Sequence, residues 1–342
     1  MGVPEERHAW CDGIRGWAAL TVAVYHNLQQ WHVIPSFYKQ TLVLDGSFAV
    51  VIFFAVSGFS LRCVRDERAI VRTALCRWPR LALPCFMHYG VAFTFLYPND
   101  WYRHIYMAAY ASFYAFFPLV GGMFSTPPHL VSEMYNLGSS SSLVLWTMEF
   151  EMLASMIIFA CSLASRHVRQ PSVPCLATVM ALTFACCPKL CFFLVGAIHQ
   201  SRWETSDRVI RPVALLCSMV ALGFSTFEIW TWGWQLVALI RVATLLQIVR
   251  ESHHARSFLS ARVSTHMGSI SFSMYLCHYY VIHFVHRYAP QKWGIGVSLA
   301  CSLALAAATA PFDRWSMSKC KAVAAHLLNP EDAPKAVQTT TA

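Results

Sequence analysis

The chain has 342 residues, 56% of them hydrophobic and 13% charged, against about 45–50% and about 25% in soluble globular domains. With 14% aromatic residues and a mean hydropathy of +0.45, this excludes a single water-soluble globule and a disordered chain, and points to a protein whose solvent is largely lipid. The net charge of +9 does not indicate a nucleic-acid partner. Its basic residues lie in short stretches between apolar runs, as membrane-flanking charges do, and form no single basic stripe.

Taken in chain order, the first apolar run is Ile14 to Ile34. It follows a polar dozen residues and contains Arg15 and His26, so it is expected to be a retained first span and not a cleaved signal peptide. Further runs of near-spanning length are Leu42 to Leu61, Leu81 to Tyr97, Leu143 to Ala164, Val213 to Phe227, Trp232 to Val249, Met267 to Phe284 and Gly294 to Ala310. Each is near the roughly 17–25 residues a helix needs to cross the hydrocarbon. Two segments read either way. Trp101 to Phe117 carries tyrosines and phenylalanines at helical spacing and suits a span or a helix lying in the interface. Val173 to His199 is broken by Pro188 and Lys189 and suits one kinked span or a short hairpin. Either combination predicts an all-α, polytopic membrane helix bundle of about ten transmembrane helices over residues 1–328, followed by a polar, disordered tail over 329–342.

The positive-inside rule sets sidedness. The connector Arg62 to Arg80 carries six arginines, and Arg250 to Arg262 carries three with His253 and His254. Both are expected on the cytoplasmic side, together with the two chain ends, while Met123 to Ser142, which lacks Lys and Arg, falls outside in the version with an interfacial Tyr-rich segment. The organelle is not legible. The 13 cysteines are odd in number and lie mostly in apolar runs, where they read as small hydrophobes; no metal is expected.

An ionisable side chain at mid-bilayer costs about 2.5–3.5 kcal/mol on insertion scales and therefore needs a partner or a task. Arg15 and His26 are eleven residues apart, about three helical turns, so both project from one face some ~16 Å apart. Gly13 and Gly16 beside the arginine allow close approach. In LWTMEFEM, Glu149 and Glu151 face opposite ways on a helix, so only one easily shares the interior with His26. Arg77 and Arg80, in CRWPRLALP, lie on one helix face and match the oxygens of a phosphate; plain membrane flanking is the other reading.

These residues carry a resemblance. DGIRGWAALTVAVYH (Asp12 to His26), FFAVSGF (Phe53 to Phe59), Arg77-Trp-Pro-Arg80, LWTMEFE (Leu145 to Glu151), FLVGAI (Phe193 to Ile198) and ISFSMYLCHYYVI (Ile270 to Ile282), with Asp313-Arg314 near the end, resemble in order the motifs of the acyltransferase 3 family of multi-span membrane acyltransferases. The LWTMEFE form is similar to fungal-type members and places the family glutamate at Glu151. Trp315 stands where the family usually has proline.

The resemblance implies an acyl-CoA-dependent O-acyltransferase that moves an acyl group, most often acetyl from acetyl-CoA as co-substrate, to a hydroxyl. Under it, His26 is the expected base, and Glu151 orients that imidazole or holds the acceptor. Arg15 binds the pantetheine or phosphate end of the donor, and Arg77 and Arg80 hold its phosphates. Ser57 lines the acyl tunnel or donates to the thioester oxygen, while Asp12 and His278 are candidates for substrate contact or support. The expected partners are the acyl-CoA donor, a lipophilic hydroxyl-bearing acceptor such as a secondary metabolite, and the bilayer. O-acetylation of a cell-surface polysaccharide or lipid, and a transporter using the same charges, are the competing readings. Transporters often show internal symmetry, and the Arg15/His26 pattern has no counterpart in the second half of the chain.

Overall fold

The computed structural model describes residues 8–33, 45–64, 66–96, 144, 146–167, 172–202 and 231–328. These form ten α-helices and, among the described residues, no strand. They are α1 (Ala9–Gln30), α2 (Gly46–Arg62), α3 (Glu67–Leu96), α4 (Trp146–His167), α5 (Ser172–Cys186), α6 (Lys189–Arg202), α7 (Trp232–Glu251), α8 (His253–Ser260), α9 (Arg262–Tyr288) and α10 (Gln291–Leu328). Two expected segments, Trp101 to Phe117 and Val213 to Phe227, lie outside the described residues, as does the tail.

Several helices start where the sequence supplies a cap. The Asp45 carboxylate accepts the Phe48 amide at 2.9 Å, and Ser252 accepts the Ala255 amide at 3.2 Å, satisfying donors that a helix start leaves open. The broken segment is resolved as a hairpin. Cys191, in the first turn of α6, reaches back to the Met180 carbonyl at 3.4 Å and to Thr183 at 3.5 Å, contacts that a single continuous helix would hold far apart.

Two expectations are corrected in extent. The arginine-rich connector is not a loop: from Glu67 it is already α3, which runs through Pro79 and Pro84 to Leu96. The last apolar run likewise continues as helix well past Ala310. Among the described residues, α7 and Trp293–His326 of α10 are long and apolar enough to cross a membrane, and Gly46–Arg62, Phe150–Ser165 and Cys175–Phe184 are shorter apolar helical stretches. Helices α1 and α9 are diluted by the polar and ionisable groups that make them interesting, among them Arg15, His26 and Asn27 on α1 and His278 and His283 on α9.

Packing is organised around α1, which lies along α9 and also against α2; α9 in turn packs along α10, and α2 along α6. Small residues set these approaches. A Cβ on Gly58 would lie 1.9 Å from the Phe193 carbonyl oxygen of α6, and one on Gly196 would lie 1.8 Å from the Ala55 oxygen of α2, so the two backbones touch through reciprocal glycines. Phe54 and Phe193 stack beside this contact with ring centroids 4.4 Å apart. Gly16 of α1 and Gly268 of α9 allow the same intimacy: a Cβ on the first would meet the Gly268 amide at 2.5 Å, and one on the second the Asp12 carbonyl at 2.1 Å.

Candidate active site

The site is built on a stripe of α4. Thr147, Glu151 and Ser155 recur every four residues and therefore share one face, from which they reach α9, α2 and α3. The Thr147 hydroxyl is 3.0 Å from the Tyr275 phenol of α9. Glu151 Oε1 accepts the Ser57 hydroxyl of α2 at 2.7 Å and a guanidinium N–H from Arg77 of α3. Ser155 accepts Arg77 Nε at 2.7 Å. Arg77 is 4% exposed and Glu151 13%, so the charge of each is compensated inside the protein, as burial demands.

On the same face of α9, three residues beyond Tyr275, His278 meets His26 of α1. Their rings are nearly parallel with centroids 5.4 Å apart, and Tyr279 meets His26 edge-on at 5.2 Å. Tyr275 joins the two halves: its ring lies 5.9 Å from His278 and 5.6 Å from Phe53 of α2, and its hydroxyl is the group on Thr147. The ring of Tyr275 thus stands between the imidazole pair and the Glu151 network.

Arg15, toward the N-terminal end of α1, donates to the Ser60 hydroxyl of α2 at 3.0 Å and lies 3.7 Å from the Asp12 carboxylate. The face shared by Arg15 and His26 therefore lies over the seam between α2 and α9, with the arginine at one end and the histidine at the other.

The structure gives each of these residues its partners. Glu151 was expected to orient the His26 imidazole or to hold the acceptor; the hydrogen bonds it makes go to Ser57 and Arg77. Arg77 was paired with Arg80 as one phosphate clasp; it is buried on Glu151 and Ser155, while Arg80 is half-buried one turn further along α3. Ser57 was expected to line the acyl tunnel or donate to the thioester oxygen; its proton is directed to Glu151. His278 is fully buried against His26. Glu149 lies on α4, with its side chain outside the described set.

Sequence reading passed over Thr147, Ser155, Ser60 and Tyr275. The first two were signalled by the four-residue spacing around Glu151. Ser60 and Tyr275 carried no local signal, because their importance lies in what faces them from another helix. A second buried pair was also missed: Arg241 of α7, 2% exposed, lies 3.4 Å from Asp45 and over the Phe48 ring at 3.9 Å.

A family model described as an acyltransferase domain matches residues 8–311. No curated protein and no solved structure shows a significant match to the chain. That match runs from the residue before α1 into α10 and takes in every helix that contributes to the site, and the chain belongs to the acyltransferase 3 family, whose members are typically membrane-bound.

Proposed function

We propose that this acyltransferase is a multi-pass membrane O-acyltransferase of the fungal type, with both chain ends cytoplasmic, which transfers acetyl from acetyl-CoA to a hydroxyl of a lipophilic small molecule such as a secondary metabolite. The observation that carries the reading is a chain of contacts across the helices: Ser57, Arg77 and Glu151 meet in one network, and Thr147, four residues before Glu151, touches Tyr275, whose ring neighbours His278 and through it His26. These groups place a base and a buried carboxylate on two sides of the Tyr275 ring.

The division of labour follows from the partners. His26 is half-buried and takes the proton of the acceptor hydroxyl, which makes the oxygen nucleophilic at neutral pH, a contribution of typically about 10²–10⁴ in rate. As the new C–O bond forms and the C–S bond breaks, that proton passes to the departing sulfur, and the products are an ester and free CoA. Acetyl-CoA supplies the activated acyl group; Arg15 and Arg80 are the guanidinium groups assigned to its phosphates. The fit is one of spacing: Arg15 lies at the end of α1 remote from His26, roughly 16 Å along the helix, which leaves room for an extended pantetheine arm between phosphate and thioester. Arg77 acts on Glu151, whose Oε1 it holds together with Ser57 while Oε2 accepts no hydrogen bond among the described residues. That second oxygen is available to hold an acceptor hydroxyl.

Purified protein incubated with radiolabelled acetyl-CoA and decan-1-ol should yield labelled ester in an organic extract. His26→Ala, still folded, should lower the yield at least about 100-fold. Full activity in His26→Ala would refute the assignment of the base.

A further inference from the structure

His278 is completely buried, and its protonation pattern can be read from its partners. Nδ1 lies 2.8 Å from the Tyr275 carbonyl oxygen and 3.2 Å from that of Met274, both on its own helix. Carbonyl oxygens only accept, so Nδ1 carries the ring proton and Nε2 is left as a bare lone pair. Nε2 lies across the ring from the α9 backbone, is buried and has no hydrogen-bond partner. A buried acceptor without a donor is costly and calls for an explanation. The ring stacked on His278 from the neighbouring helix is His26.

A histidine that accepts a proton on one nitrogen must carry a proton on the other, and that N–H needs an acceptor which fixes the tautomer and steadies the cation that forms. Glu151 does not fill this place, since its hydrogen bonds go to Ser57 and Arg77. The other group that hydrogen-bonds the His26 side chain is Gln29, an exposed residue on the next turn of α1. We propose that His278 Nε2 is the acceptor that positions the His26 ring for proton abstraction, the two histidines forming a dyad. The dyad forms when the His26 ring leaves the resting stack and brings an N–H into the plane of the His278 ring, where the Nε2 lone pair lies, in keeping with catalytic hydrogen bonds that tighten when substrate binds. During transfer one proton moves from the acceptor hydroxyl to His26 and then to the sulfur of CoA; His278 keeps its own proton on Nδ1 throughout. A neutral imidazole suits this place better than a carboxylate because it adds no charge to the bilayer interior. The proposal rests on His26 being the base.

The test uses the full-length protein in detergent with acetyl-CoA and decan-1-ol, reading ester formation and, in the same assay, acetyl-CoA hydrolysis by water. His278→Phe keeps a ring but removes the lone pair, His278→Gln restores an acceptor near the Nε2 position, and Gln29→Ala removes the exposed alternative. We expect His278→Phe to lower kcat by about 100-fold with the KM for acetyl-CoA unchanged, His278→Gln to stay within about tenfold of wild type, and Gln29→Ala within about threefold. Residues acting as a unit are non-additive, so His26→Ala/His278→Phe should be no slower than His26→Ala alone. If His278→Phe does not fold, His278→Leu takes its place. Wild-type kcat in the folded His278 variant, additivity in the double variant, or a collapse confined to Gln29→Ala would overturn the dyad. Those results with His26→Ala inactive would leave the acetyltransferase reading standing, whereas an active His26→Ala would remove both.

Discussion

At the scale of single residues, the centre of the site is an ion pair that neither partner can leave. Glu151 and Arg77 compensate one another in surroundings that would penalise either charge alone. Arg77→Met should therefore destabilise the protein by about 3–5 kcal/mol, the typical cost of removing one partner of a buried pair. Arg77→Met combined with Glu151→Leu, which removes both charges, should recover much of the thermal stability in detergent without recovering acetyl transfer. Recovery of transfer in that double variant would show that the pair is structural only. Ser57→Ala removes one hydrogen bond to a charged oxygen and should cost less, about 1.5–3 kcal/mol. Much of this was legible: the charges out of place in apolar runs drew attention to Arg15, His26, Arg77 and Glu151. Their pairing was not, because helical phase says which face of its own helix a residue occupies and nothing about which helix lies opposite. Glu151 and His26 were matched on chemistry, yet the packing of α4 against α2 and α3 gives the carboxylate to Ser57 and Arg77.

At the scale of elements, approach distances between helices are set by glycine. Gly58→Ala and Gly196→Ala would each drive a methyl into a facing backbone carbonyl less than 2 Å away, which a flexible side chain could yield to but a helix backbone cannot. Each should abolish or sharply reduce the folded fraction in fluorescence-detected size exclusion. Gly296→Ala, whose added methyl would meet nothing within 4 Å, should behave as wild type or better, since alanine is the stronger helix former by about 1 kcal/mol. Equal tolerance at all three positions would contradict the α2–α6 contact. The centres of the helices were readable from hydropathy, and α7 begins at the predicted residue and ends within two of it. Their polar extensions were not: apolar runs mark the part of a helix that meets lipid, and α3 and α10 continue beyond it. α3 also runs through Pro79 and Pro84; each removes one backbone donor and crowds the preceding turn without ending the helix.

At the scale of the whole molecule, the distribution of arginine implies a fixed orientation. The proposed topology puts the arginine-rich start of α3 and the α7–α8 junction on the cytoplasmic side, and Thr231, at the opposite end of α7, on the other. An epitope inserted beside Arg68 should be reached by antibody only after the membrane is permeabilised from the cytoplasmic face, and one beside Thr231 from the opposite face. Both reached from one side would overturn the assigned topology.

The central claim is that acetyl transfer to a lipophilic alcohol depends on His26. Its most direct measurement compares lipid-soluble extracts of cells lacking the protein after reintroduction of either wild-type or His26→Ala protein at equal membrane abundance. The account predicts one class of compound that carries an acetyl ester with the wild-type protein and accumulates as the free alcohol with His26→Ala, as it does in cells without the protein. Restoration of the ester by His26→Ala to the wild-type level would contradict it.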